Sequence, residues 1–292
     1  MLIDDFEKYI LKDKNARENT VNAYVKDLEH FRDFMEERGV SDLRDVSNSD
    51  IVSYLMELKK EGKSKSTVNR KLTSIRTFYK FLVKEGRIRE NPAENIKSPR
   101  IEKKEIEFLS IEEIDRLMEL PDDTLKGKRD RAILELMYAT GIRATELIDM
   151  KLDDCNMRMG FIKCSGEHVK ARVIPIGRPA RMALEEYIYD VRPQMLKGGK
   201  SESLFVNYVG ESMTRQGLWK ILKEYGDKGG FEVKLTPQVI RNSFAVHMLQ
   251  NGADIKSIQE LMGHEDIAAT QAYLAVTKNR IKDVYDKAHP RA

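Results

Sequence analysis

Two cysteines, five scattered histidines and the lack of any long apolar run exclude several broad classes of protein at once. Cys155 and Cys164 are too few for a disulfide framework and suit a reducing cytoplasm. Together with the histidines they show no metal-ligand spacing, so no structural metal is expected. No apolar stretch approaches the roughly 18–20 residues that a membrane span needs, and no membrane association is expected. The N-terminus is acidic from its fourth residue, which is the wrong charge for a signal peptide. Internal repeats, low-complexity segments, a phosphate-binding P-loop and a carboxylate cluster are all missing.

What is present is a charged chain with enough apolar residues for real cores, 34% and 41% respectively. At 292 residues it favours two domains over one. The formal net charge of +3 hides an uneven distribution. Between Lys59 and Lys104 there are 15 basic and 5 acidic residues, a local balance of +10 that leaves −7 for the remainder. A segregated basic stretch suits a polyanionic partner, because neutralised phosphates release counterions. Solvated helix faces also explain a charge run taken alone.

The first hundred residues carry helical periodicity. Val21, Tyr24, Val25, Leu28 and Phe31 recur at spacings of three and four, as do Ile51, Tyr54, Leu55 and Leu58, and then Val68, Leu72, Ile75, Phe78 and Leu82. Starts are predicted at Asn19-Thr20, Ser47 to Asp50 and Ser64 to Thr67. Asn91-Pro92 breaks the pattern, and the charged stretch from Ser98 reads as a linker. The predicted organisation is a helical domain over 1–97, a linker over 98–107 and a second domain over 108–292. That second domain opens with a capping box of Ser110 and Glu113. Helices are predicted at about 111–119, 128–140, 179–189, 214–225, 237–250, 255–262, 268–274 and 280–287. Phe161 to Cys164 and Arg172 to Ile176 read as a hairpin around Gly166, with Leu204 to Val206 as a possible third strand.

Three blocks carry candidate chemistry: Thr140-Gly141-Ile142-Arg143 running on to Glu146-Leu147, Pro237-Gln238 through Arg241 to His247, and Gly263-His264 followed by Tyr273 nine residues later. Singly, each has an ordinary structural explanation. Arg143 and Glu146 form an i,i+3 pair on a helix, Arg241 is a surface cation, His264 a turn residue, and Tyr273 a half-buried helix tyrosine. Jointly, the blocks resemble the tyrosine recombinases of the phage integrase family, and within it the Xer type. The likeness extends to Ser66-Thr67-Val68-Asn69-Arg70-Lys71-Leu72, Asn91-Pro92-Ala93 and the closing Ala288-His289-Pro290.

The resemblance implies a mainly α fold: an N-terminal helical SAM-like core-binding domain, and a mostly helical catalytic domain with a small antiparallel sheet and a C-terminal oligomerisation helix. It implies duplex DNA as partner, a homotetramer on two DNA sites, no cofactor, and a role in chromosome dimer resolution. Tyr273 is then the nucleophile. Arg143 and Arg241 clamp the phosphate, because a guanidinium offers fixed bidentate donors that lysine cannot reproduce. His264 bonds the phosphate or assists proton movement, and Glu146 orients Arg143. Thr67, Asn69, Arg70 and Lys71 are candidate DNA contacts, to phosphates more than bases.

Two positions depart from the family pattern. Where relatives carry histidine or lysine three residues before the second arginine, Gln238 can donate an amide hydrogen but no charge. Where relatives carry a catalytic lysine in the hairpin turn, this chain has Glu167. Lys170 is the nearest replacement as general acid, and Lys163 is expected to point to solvent. The departures leave open a DNA-binding relative with weak or lost cleavage. A mobile-element integrase is the other alternative, with no extra N-terminal arm-binding domain expected.

Overall fold

Ser47, Ser64, Ser110, Thr124, Thr214, Thr236 and Asp254 each stand one residue before a helix, and each side-chain oxygen accepts a backbone N–H of the first turn. These caps satisfy donors that a helix start leaves orphaned, which fixes where the helices begin. The computed structural model describes residues 2–12, 18–100, 105–166, 169–264, 266–267 and 269–274. The chain divides into two compact units, Met1–Lys104 and Glu105–Ala292.

The first unit holds helices α1 (Leu2–Lys12), α2 (Glu18–Glu37), α3 (Asn48–Lys60) and α4 (Lys65–Lys84). The three predicted stripes face one core, where Leu28, Phe31, Ile51, Leu72, Ile75, Phe78 and Leu82 lose all contact with solvent. Helix α1 was not among the predicted helices. Its Ile3, Phe6 and Ile10 have the same spacing and are buried, with Phe6 edge-on to Phe78 at 5.5 Å. Among the described residues of this unit one carboxylate is buried, Asp27, only 2% exposed. It accepts from Arg70, from Ser74 Oγ at 2.9 Å and from Lys71 Nζ at 3.1 Å, as a buried charge requires.

The second unit is built on α6 (Leu125–Thr140), whose Ala132, Ile133, Leu134, Leu136 and Met137 are buried on every side. Around it lie α5 (Ile111–Glu119), α7 (Ala144–Asp149), α8 (Arg178–Glu186), α9 (Arg192–Leu196), α10 (Arg215–Gly229), α11 (Pro237–Gln250) and α12 (Ile255–Met262). The hairpin pairs β2 (Phe161–Gly166) with β3 (Val169–Pro175), antiparallel, with Ile162 opposite Ile174 and Cys164 opposite Arg172. The third strand is β1 (Cys155–Asn156), on the other side of β2. Leu204 to Val206 does not join this sheet, contrary to the sequence expectation. Val206 makes an isolated bridge to Ser212, and the run is apolar because all three side chains are in the core. The expected helix at 280–287 lies outside the described residues.

Two left-handed glycines end helices beside the candidate chemistry: Gly141 after α6 (φ 56°) and Gly263 after α12 (φ 62°). A Cβ on Gly141 would stand 2.4 Å from Phe244 Cδ1, on the helix that carries Arg241. Gly141→Ala should therefore cost about 1–3 kcal/mol through αL strain and overpacking together. Urea denaturation checks this; an unchanged midpoint would contradict both the αL strain and the overpacking.

Candidate active site

Arg143 stands at the start of α7, three residues beyond the end of α6. Its backbone N–H donates to Glu146 Oε2 at 2.9 Å, and its Nη1 donates to Glu146 Oε1 at 3.0 Å. The same carboxylate takes a bidentate pair of bonds from Arg172 of β3, both at 2.8 Å. Burial opposes the ionisation of Glu146. The Arg172 hydrogen bonds, the Arg143 amide and both positive charges outweigh it and hold the carboxyl down at about 2.

Further donors of these arginines go to a helix end. The last carbonyls of α12 accept from three guanidiniums: Leu261 from Arg172 Nε at 2.7 Å, Met262 from Arg241 Nη2 at 2.6 Å, and Gly263 from Arg143 Nη2 at 2.5 Å. Arg241 also donates to the Gly141 carbonyl at the end of α6. A helix C-terminus carries partial negative charge and orphan acceptors, so it is a natural seat for cations. Three arginines against one glutamate leave a local excess of positive charge. Burial first, and then repulsion from Arg143, pulls Arg241 down to about 10, still protonated at neutral pH.

His264 follows Gly263 directly. Its Nδ1 shares a 2.8 Å hydrogen bond with the Thr270 hydroxyl. Burial, and after it the charges of Arg241, Arg143 and Arg172, lower its imidazole to about 4, so it is neutral at pH 7. Tyr273 is 4% exposed, packed among Phe244, Ile258 and Met262. Its hydroxyl donates to Asn242 Oδ1 at 3.0 Å. Gln238 Nε2 donates to that same oxygen at 2.8 Å and also hydrogen-bonds the Tyr273 side chain. Burial pushes the Tyr273 phenol up, while the charge of Arg241 and the Gln238 bond pull the other way.

This constellation can hold an anion between Arg143 and Arg241 with a neutral imidazole and a buried phenol close by. Residues 107–280 match the phage integrase family, and residues 3–86 match the N-terminal SAM-like domain of phage integrases. The chain is 41% identical, over 100% of its length and 99% of theirs, to proteins named tyrosine recombinase XerD from Listeria innocua and Staphylococcus haemolyticus. It belongs to the phage integrase family of tyrosine recombinases. Among solved structures it is similar to XerA recombinase, with 25% identity and a TM-score of 0.57 over 100% of this chain and 99% of that one. It also shares the fold of XerH recombinase in a post-cleavage complex with a palindromic difH substrate, at 21% identity and a TM-score of 0.77 over 97% of this chain and 83% of that one.

Within this tyrosine recombinase the sequence candidates fall into three groups. Arg143, Glu146, Gln238, Arg241, His264 and Tyr273 come together around α11 and the end of α12. Lys163 is exposed on β2, opposite Val173. Lys170 lies in β3, but its side chain, like all of Glu167, lies outside the described residues. In the other unit, Thr67 and Ser64 share a hydroxyl contact at 2.9 Å, and Asn69 Nδ2 donates to the Pro99 carbonyl. Arg70 is exposed while pinned to Asp27, and Lys71 is 6% exposed with its ammonium on Asp27 and His30 Nδ1. Sequence reasoning missed Arg172, Asn242 and Thr270. Arg172 shares one face of β3 with the buried Ile174 two residues on, so period two was its only signal. Cys155 and Cys164 sit in the sheet, where burial raises their thiols to about 12 and about 11.

His264 makes a pH prediction with a definite sign. Its folded value of about 4 lies below the roughly 6.5 of a free imidazole, so the unfolded chain binds more protons between those limits. Folding stability supplied by neutral His264 is complete above about pH 6.5 and lost as pH falls toward 4. The difference in urea midpoint between the parent and His264→Gln should change across this window, with the parent losing more. Parallel curves would show that His264 titrates normally.

Proposed function

We propose that this chain is an Xer-type site-specific recombinase that cuts and rejoins duplex DNA through a 3′-phosphotyrosyl bond to Tyr273. The observation that carries the reading is the gathering of Arg143, Arg241, His264 and Tyr273 at the end of α12, in a fold that belongs to this family. Tyr273 Oη attacks the phosphorus and the bond to the 5′ oxygen breaks. Arg143 and Arg241 turn their unused N–H donors to the equatorial oxygens, where negative charge builds. A neutral His264 donates one hydrogen bond there without adding charge. The phenol proton is lost as the leaving oxygen gains one, and the phosphotyrosyl link conserves the energy for rejoining. Lys170 is the proposed donor to the leaving oxygen.

The proposed division is a core-binding domain over 1–97, a linker over 98–107 and a catalytic domain over 108–292. Arg70, with its exposed guanidinium steadied by Asp27, is the foremost of the DNA contacts proposed on α4 with Thr67, Asn69 and Lys71. The working assembly is a tetramer on two DNA sites. Full-length similarity to proteins named XerD supports chromosome dimer resolution in the cytoplasm, and so a part in chromosome partition and the cell cycle. Glu167 and Gln238 favour one second reading, a DNA-binding relative with weak cleavage. Lack of any covalent protein–DNA adduct from the parent would select it.

Tyr273→Phe should keep duplex affinity and abolish covalent adducts on a nicked suicide substrate, read on a denaturing gel. Adducts in the variant, or a DNA-linked peptide containing Tyr285, would overturn the assignment. Lys170→Ala should slow cleavage by roughly 10²–10⁴-fold, the usual contribution of a positioned proton donor. A substrate with a 5′-bridging sulfur, whose thiolate leaves unprotonated, should recover most of that loss. Lys163→Ala should change neither rate. Parental cleavage by Lys170→Ala would make Lys170 a turn lysine.

A further inference from the structure

The resemblance assigns no role to Asn242, yet this side chain makes the described bond to the Tyr273 hydroxyl. It is 8% exposed, on α11 directly after Arg241. Its amide is committed on both sides. Oδ1 accepts from the Tyr273 hydroxyl at 3.0 Å and from Gln238 Nε2 at 2.8 Å, while Nδ2 donates to the Glu107 carbonyl at 2.8 Å. Ser243 Oγ accepts from the Leu109 N–H at 2.9 Å, so the 107–109 segment is tied to α11 twice. The Glu107 bond fixes which face of the amide is oxygen. A flipped Asn242 would present N–H groups to Gln238 Nε2 and to the tyrosine, and would set carbonyl against carbonyl at Glu107.

We infer that Asn242 is the positioning residue of the nucleophile: with Gln238 it holds the Tyr273 hydroxyl in place, and Gln238 acts through this pair rather than as a ligand of the phosphate. Gln238 and Asn242 are four residues apart, so they share one face of α11, and one glutamine amide group has the two hydrogens needed to reach both Asn242 and Tyr273. An amide oxygen is too weak a base to take the phenol proton. During attack the Oη–P bond forms, the P–O5′ bond breaks, and the phenol proton passes to another acceptor while the leaving oxygen is protonated. Asn242 does neither and supplies position alone. A hydroxyl aimed by a fixed acceptor spends less time in unproductive rotamers, and misplacement of a reacting atom by about 1 Å is enough to cost on the order of a hundredfold in rate. The inference rests on Tyr273 being the nucleophile.

The test is single-turnover cleavage of a nicked suicide duplex, with duplex affinity measured alongside, for the parent, Asn242→Leu, Gln238→Met and the double variant. Asn242→Leu should slow cleavage by about 10- to 100-fold, with affinity held within about twofold. Gln238→Met should slow it less, and the double variant should match Asn242→Leu, because the two residues act in one chain. Asn242→Asp keeps an oxygen for the tyrosine but makes it titratable, so its pH–rate profile should gain an acidic limb that the parent lacks. Parental cleavage by folded Asn242→Leu, multiplied losses in the double variant, or lost affinity in step with rate would overturn the inference. If Asn242→Leu does not fold, the exposed Gln238→Met and the isosteric Asn242→Asp decide: parental rates and no new limb overturn it. A parent that forms its adduct at another tyrosine, or none, sinks the nucleophile assignment instead.

Discussion

The site depends on how two helix ends seat three guanidiniums. An arginine in a protein interior needs partners for its donors and an anion for its charge. Here the carbonyls at the ends of α6 and α12 supply most of the partners, and among the described residues Glu146 supplies the only anion bonded to the cluster. Left-handed glycines make this possible, since Gly141 and Gly263 turn the chain away and leave the last carbonyls open. The arrangement is held by backbone, so it exists before any anion arrives. Such preorganisation is what makes electrostatic stabilisation effective, because the dipoles need no rearrangement as charge develops.

The same cluster sets the protonation states around it. Burial first, and then the excess positive charge, keeps His264 neutral, and the same charge pulls against the burial that keeps Tyr273 protonated. A phosphate entering between Arg143 and Arg241 would cancel part of that charge and ease protonation of His264. Glu146 divides the arginines into two kinds. Arg172 is locked, bidentate on the carboxylate, whereas Arg143 is partly exposed and the buried Arg241, among the described residues, bonds to carbonyls alone. The two arginines that the family resemblance names are the two without a bidentate carboxylate.

Much of this was legible in the sequence, and the gaps have physical causes. Apolar stripes at helical spacing gave α2, α3 and α4, and the hydroxyl caps Ser47, Ser64 and Ser110 gave the starts of α3, α4 and α5, while α2 and α6 begin ahead of the expected residues, at Glu18 and Leu125. Helix α1 had the same signal in Ile3, Phe6 and Ile10, but over one short run. Leu204 to Val206 misled because a buried loop and a strand look alike without their neighbours. Arg143, Glu146, Arg241, His264 and Tyr273 announced themselves as motifs. Arg172 and Asn242 did not, because their importance comes from whom they meet across more than twenty-five residues of chain: Glu146 for one, Glu107 and Tyr273 for the other.

The most direct measurement of the central claim is a crystal structure with a duplex carrying the chain's recognised site. The account predicts one phosphate hydrogen-bonded by both Arg143 and Arg241, Arg172 still bidentate on Glu146, and Tyr273 Oη facing that phosphorus. A phosphate held elsewhere, with Arg143 and Arg241 keeping only their bonds to Glu146, Gly263, Met262 and Gly141, would contradict it.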